Sequence, residues 1–187
     1  EIPMPNWCSN SLTLTAASKE EADELFQHLK KEDDEGWSFF GFFVPEDWDE
    51  DNWYWSRVEA WGTKWDASLV DVSWVGDTDV CLIFDTAWGP PIGVYEAAVE
   101  QGWGVQATYY EPGMGFCGSF VDGDDEYYEY HSCETPEEIR ELVGDNLDDE
   151  YGISDWMQQL IDEDEEYEKL VADEEENRMD GGRENFG

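Results

Sequence analysis

The sequence predicts a two-layer α+β domain, an antiparallel sheet with helices on one face, followed by an acidic helical extension. Three observations carry this expectation. Short runs of alternating apolar and polar residues, bounded by turn residues, recur as far as residue 131. Segments with helical periodicity separate them. Beyond residue 121 the chain turns strongly acidic and helical in pattern.

The elements follow in order. Leu12-Thr13-Leu14-Thr15 alternates as a strand does. Ser18-Lys19-Glu20-Glu21 is a capping box, opening a helix with Ala22, Leu25, Phe26 and Leu29 on its apolar side. An aromatic insertion follows, at about residues 36–66. Leu69 to Val75 and Val80 to Phe84 read as strands joined at Gly76-Asp77-Thr78-Asp79. Pro90-Pro91 opens a helix through Val94, Tyr95, Ala98 and Val99, stopped by Gly102. Val105 to Tyr109 is the next strand, and the resulting β-α-β-β-α-β order is the ferredoxin-like arrangement. Phe116 to Val121 and Tyr127 to His131 add a hairpin around Asp122-Gly123-Asp124. Thr135-Pro136-Glu137-Glu138 starts a helix that Gly144 ends, and a last helix runs from about Ser154 to Glu176. The expected organisation is a ferredoxin-like domain over 4–131, with Met4 as a plausible natural start. An acidic helical extension over 132–177 and a flexible tail over 178–187 complete it.

Several segments resemble the YubB-like family, small plasmid- and phage-encoded proteins with a ferredoxin-like domain. They are Met4-Pro5-Asn6-Trp7-Cys8-Ser9-Asn10, Trp61-Gly62-Thr63-Lys64-Trp65-Asp66, Phe84-Asp85-Thr86-Ala87-Trp88-Gly89-Pro90-Pro91 and Tyr109-Tyr110-Glu111-Pro112-Gly113, with Phe116 and Gly118. The resemblance implies the fold and a mobile-element origin, and brings no activity with it. The acidic segment after residue 122 stands outside these blocks.

Charge points further. The chain holds 49 acidic and nine basic residues, a net charge of −40, where a magnitude of roughly 2–8 suffices for solubility. B-DNA carries about one negative charge per 1.7 Å, so a charge of −40 matches about 68 Å of duplex. A compact chain of this length is only roughly 40 Å across. The charge is also uneven: residues 122–187 hold twenty-six acidic and four basic residues, a net −22. Salt adaptation would acidify every face alike. A polyanion of this density repels nucleic acid and instead suits a basic DNA-binding groove.

The expected function is therefore a DNA-mimic inhibitor of a host DNA-binding defence protein, as in anti-restriction or anti-CRISPR action. It would be cytoplasmic, non-enzymatic and stoichiometric, working as a monomer or a homodimer. On a helical projection Asp155, Asp162, Glu165, Glu166, Asp173 and Glu176 fall opposite Ile153, Trp156, Met157, Leu160, Ile161, Tyr167, Leu170 and Val171. Lys169 interrupts the acid, and Asp164 lies within the apolar side. These six acids, with Asp148, Asp149 and Glu150, are the candidate phosphate mimics. Asp122 to Glu126 and the Glu46 to Asp51 stretch add further acid.

The alternative is an interaction adaptor that uses the Trp-rich domain, its acid serving solubility or salt adaptation. Trp61, Trp65 and Trp88 lie beside Gly or Pro turns, where rings close the end of a small sheet or anchor a partner. Lys64 and Asp66 are placed to order that loop as an ion pair.

Other chemistries lack a pattern. Asp122-Gly123-Asp124-Asp125-Glu126 misses the EF-hand spacing, and Cys117, His131 and Cys133 miss that of a zinc finger. No phosphate loop or hydrolase motif occurs, and His28 sits on a helix surface. Neither cofactor nor metal is expected. Four widely spaced cysteines fit reduced thiols, and neither a signal peptide nor a membrane span is legible.

Overall fold

Cys8, Asn10, Leu12 and Leu14 alternate with Ser9, Ser11 and Thr13. That period of two builds β1 (Trp7–Thr15), with the first set buried and the second half-exposed. In the computed structural model, which describes residues 6–29, 38–44 and 53–181, β1 lies between β3 (Asp79–Ala87) and β4 (Gly104–Glu111). The strand β2 (Ser68–Trp74) pairs with β3 on one side, and β5 (Phe116–Val121) and β6 (Asp124–Glu129) continue beyond β4. The sheet is antiparallel throughout, ordered β2-β3-β1-β4-β5-β6. Its first four strands trace the expected ferredoxin-like path, and the β5–β6 hairpin extends it. The Asp122-Gly123 turn has both residues at positive φ, 49° and 108°, the backbone of a tight hairpin. Pairing therefore resumes at Asp124, three residues before the expected start of that strand. Its acidic side chains blunt an open sheet edge.

Two helices cover the inward face: α1 (Lys19–Leu29) and α3 (Ile92–Glu100), through Leu25, Leu29, Val94, Tyr95 and Ala98. Ser18 caps α1 as expected, its Oγ accepting from the Glu21 amide, while the Glu21 carboxylate reaches one residue further back than a capping box requires and accepts from the Ala17 amide. Within the insertion, Phe39, Phe40 and Phe43 enter the same core, beside a helix the sequence did not announce, α2 (Trp53–Trp61). Residues 45–52, with the Glu46 to Asp51 acid, lie outside the described residues. His28 does more than sit on a surface: it is half-buried, with Nε2 2.7 Å from the Ser38 carbonyl, and ties α1 to the aromatic segment.

The motif segments turn out to be fold-building. Asn10 donates to the Cys8 carbonyl and to Thr86 Oγ1, and its own oxygen accepts from the Tyr95 hydroxyl. Thr86 in turn donates to the Gly89 carbonyl, and Thr63 to that of Ala87. The buried Glu111 carboxylate accepts from the Gly113 and Met114 amides and so holds the turn before β5. A Cβ on Gly118 would fall on the Tyr109 ring and the Glu126 carbonyl. Gly118→Ala is expected to cost about 1–3 kcal/mol, read as a lowered denaturation midpoint.

The chain divides into two compact units, Glu1–His131 and Ser132–Gly187. In the second, Thr135 caps α4 (Pro136–Val143) by accepting from the Glu138 amide, and Gly144, at φ 78°, ends it. A further helix absent from the expectation, α5 (Asp145–Tyr151), comes next, and Gly152 turns the chain into α6 (Ile153–Gly181). Helix α6 runs past the expected end at Glu176, so residues 178–181 are helical. Residues 182–187 lie outside the described residues. Among the described residues of this unit, Pro136, Ile139, Val143, Leu147 and Ile153 are the buried apolar ones.

Candidate acidic interaction surface

Helix α6 has 29 residues and spans about 43 Å. It packs on α4 and α5 through its first turns, where Ile153 and Ser154 are buried and Met157 and Ile161 half-buried. The carboxylates of Asp155, Asp162, Glu165 and Glu166 are exposed. Asp173 and Glu176 are on the same helix, their side chains outside the described residues. Along the axis Asp155, Asp162, Glu166 and Asp173 are stepped by about 10.5, 6 and 10.5 Å. Asp162 accepts from the Gln158 amide at 2.9 Å, and Lys169 Nζ lies 3.5 Å from Glu165, which restrains these side chains on the helix surface. Asp155 lies 3.3 Å from Arg140 yet remains largely in solvent. Asp149 and Glu150 are exposed on α5.

Asp148 corrects the expectation. Its side chain is buried, with Oδ1 accepting from the Ser154 amide at 2.7 Å, and Oδ2 from the Ser154 hydroxyl and from Arg140 Nε at 3.0 Å. It stitches α5 to the start of α6 and offers no exposed oxygen to a partner. Burial pushes this carboxyl up, but the Ser154 and Arg140 hydrogen bonds outweigh that and hold it below its ordinary 3.8. The folded carboxyl thus ionises more readily than the unfolded one, so its stabilisation is complete above pH 3.8 and fades as pH falls through the lowered value. Asp148→Asn is expected to cost about 1–3 kcal/mol at neutral pH. In denaturation below pH 3.8 the gap between variant and wild type should close.

The tryptophans separate. Trp61 is buried, edge-on to Phe40 at 5.2 Å and under the Arg57 guanidinium at 4.9 Å, so it is core and not an anchor. Trp65 is half-buried beside Trp7, at 6.2 Å, with Lys64 over its ring. Asp66 does not serve as the partner expected for Lys64, because its Oδ1 accepts from the Phe40 and Ala67 amides; burial, the largest influence, pushes its carboxyl above the usual range. Trp88 is half-exposed with φ 73°, a strained backbone for a bulky residue.

The acids of the β5–β6 turn are partly structural: Asp122 accepts from the Val105 amide, and Asp125 from the Tyr109 hydroxyl. Burial pushes the Cys8 thiol up to about 12, so it is inert as a nucleophile. Among the described residues, no group of three or more His, Cys, Asp or Glu side chains converges on a metal position. No helix there is long and apolar enough to cross a membrane.

One feature of α6 is absent from the sequence reading. Trp156, Leu160, Tyr167, Leu170 and Val171 are 50, 40, 69, 59 and 39% exposed, so most of the apolar side expected to hold the helix in place faces solvent. The three-four spacing of these residues was the available signal; their exposure is a tertiary fact. No family model, curated protein or solved structure matches this chain.

Proposed function

We propose that this chain is a DNA-mimicking inhibitor that occupies the basic groove of a DNA-binding defence protein in the cytoplasm, stoichiometrically and without turnover. The observation that carries the reading is the row of exposed carboxylates on one continuous helix, Asp155, Asp162, Glu165 and Glu166, in a chain of net charge −40. Steps of about 6–10.5 Å along a helix let carboxylates take positions that a partner's Lys and Arg reserve for phosphates. A helix held at its base by Asp148 and Ile153 presents that row already ordered, which lowers the entropy lost on binding. The YubB-like resemblance, which rests on the motif segments, adds a mobile-element setting in which such an inhibitor has a use.

The test is capture of partners from a bacterial lysate on the tagged full chain, followed by challenge with excess duplex DNA. The reading expects a DNA-binding protein that duplex displaces, with an association rate that falls on the order of tenfold or more as salt rises. Partners indifferent to duplex would overturn it.

The adaptor reading is favoured by one other observation, the exposed Trp55 and Trp88 of the first unit, at 65 and 50%. It expects Trp88→Ala to weaken capture, and removal of residues 145–187 to leave capture intact.

A further inference from the structure

Helix α6 carries a heptad seam as well as a charged row. Ile153, Trp156, Leu160, Glu163, Tyr167, Leu170 and Glu174 follow one another at alternating intervals of three and four, the a and d positions of a coiled coil. Ile153 is buried within its own unit; Trp156, Leu160, Tyr167 and Leu170 are 40% exposed or more. The surrounding sequence makes this costly. Asp162 and Glu166, like Asp164 and Glu168, stand four apart with the same sign, and each such pair disfavours the helix. A helix within a protein gains most of its stability from packing an apolar face, and here much of that face has solvent beside it.

We propose that this seam is the docking surface for a basic amphipathic helix of a partner protein. The charge pattern selects the occupant. Glu163 falls at a d position, Glu174 at an a position, and Asp164 and Glu166 at the flanking e and g positions. A second copy of α6 paired in register would set Glu163 against Glu163 and Glu174 against Glu174 within the seam, and like charges brought together there oppose pairing. An anionic lipid surface meets the same repulsion. A helix with Leu or Ile along its stripe and Lys or Arg facing Glu163, Asp164, Glu166 and Glu174 complements both the apolar and the acidic residues of the seam. Trp156 and Tyr167, large and exposed, are the anchors of such an interface. The seam residues Trp156, Leu160, Tyr167 and Leu170 lie on a different side of α6 from the Asp155, Asp162 and Glu165 row, and Glu166 alone borders both, so this inference does not rest on groove occlusion, and either can fail without the other.

The experiment is calorimetric titration of the full chain at physiological salt with a synthetic helical peptide. The peptide carries Leu at its a and d positions, Lys at e and g, and one seam Lys to face Glu163. A control peptide has the same composition in scrambled order. The ordered peptide should bind at least about tenfold tighter than the control, and the Trp156→Ser/Tyr167→Ser variant should lose about tenfold or more. Glu163→Lys should weaken the Lys-seam peptide and regain binding with a Glu-seam peptide, a rescue that loss of folding cannot mimic. Equal binding of ordered and scrambled peptides, or no response to the seam variants, would reduce the contact to diffuse charge attraction and overturn the proposal. A dimer in sedimentation that Trp156→Ser/Tyr167→Ser dissolves would assign the seam to a second copy and overturn it equally.

Discussion

Neutralising the outer row of α6 (Asp155→Asn, Asp162→Asn, Glu165→Gln and Glu166→Gln together) is expected to abolish capture of the DNA-binding target while leaving the fold intact. The effect should be largest on the association rate, because exposed carboxylates act through the field that steers a basic groove inward; that field is worth on the order of ten- to a thousandfold in rate. Stability should barely move. The change removes the Asp162–Glu166 repulsion and the Glu165–Lys169 pair, each worth a few tenths of a kcal/mol with opposite sign. The Asp155 contact with Arg140 is solvent-exposed and contributes little. Far-UV circular dichroism should therefore match wild type, while surface-bound kinetics against the captured target collapse. A well-folded variant that binds at the wild-type rate would remove α6 from the contact surface.

Trp61→Ala is the second large effect, and it acts on stability. Trp61 is 1% exposed, packed on Phe40 and capped by Arg57. Truncation leaves a cavity where an indole stood, at about 3–5 kcal/mol, against a total of about 5–15 for a native domain. The first unit should melt at a much lower temperature, with its near-UV signal reduced in the native baseline. Trp88 gives the opposing result. It is half-exposed and holds φ 73°, a conformation glycine adopts without penalty. Trp88→Gly should be neutral or stabilising by about 1 kcal/mol. A drop as large as that of Trp61→Ala would mean that the Trp88 ring carries packing its exposure does not suggest.

Local regularities were legible in the chain. The alternation at Leu12 to Thr15, the capping boxes at Ser18 and Thr135, the Asp122-Gly123 turn and the stop at Gly144 each depend on residues within about four positions of one another. Their structures follow with small shifts of boundary. Two helices escaped for a shared reason. The α5 sequence Asp145-Asn146-Leu147-Asp148-Asp149-Glu150 has poor helix formers and like charges. It forms because Leu147 is buried and Asp148 binds Ser154 and Arg140. The α2 segment is crowded with bulky aromatics that disfavour a helix, and its last residue, Trp61, reaches a core assembled from distant parts of the chain.

By itself the sequence determined the α+β class, the order of the first four strands with α1 and α3 among them, and a charge too large and too unevenly placed for mere solubility. Tertiary structure alone decided which acids are surface and which are scaffold. Asp66, Glu111 and Asp148 look like their neighbours in the sequence, yet each is committed to backbone amides or to Arg140. It also decided that α6 buries only the Ile153 side of its first turns and leaves Trp156, Tyr167 and Leu170 in solvent. The physical reason is the range of the forces. Periodicity, caps and turns are set by neighbours along the chain. Burial is set by whatever the fold brings across, as Thr63 meets Ala87 and Asn10 meets Tyr95.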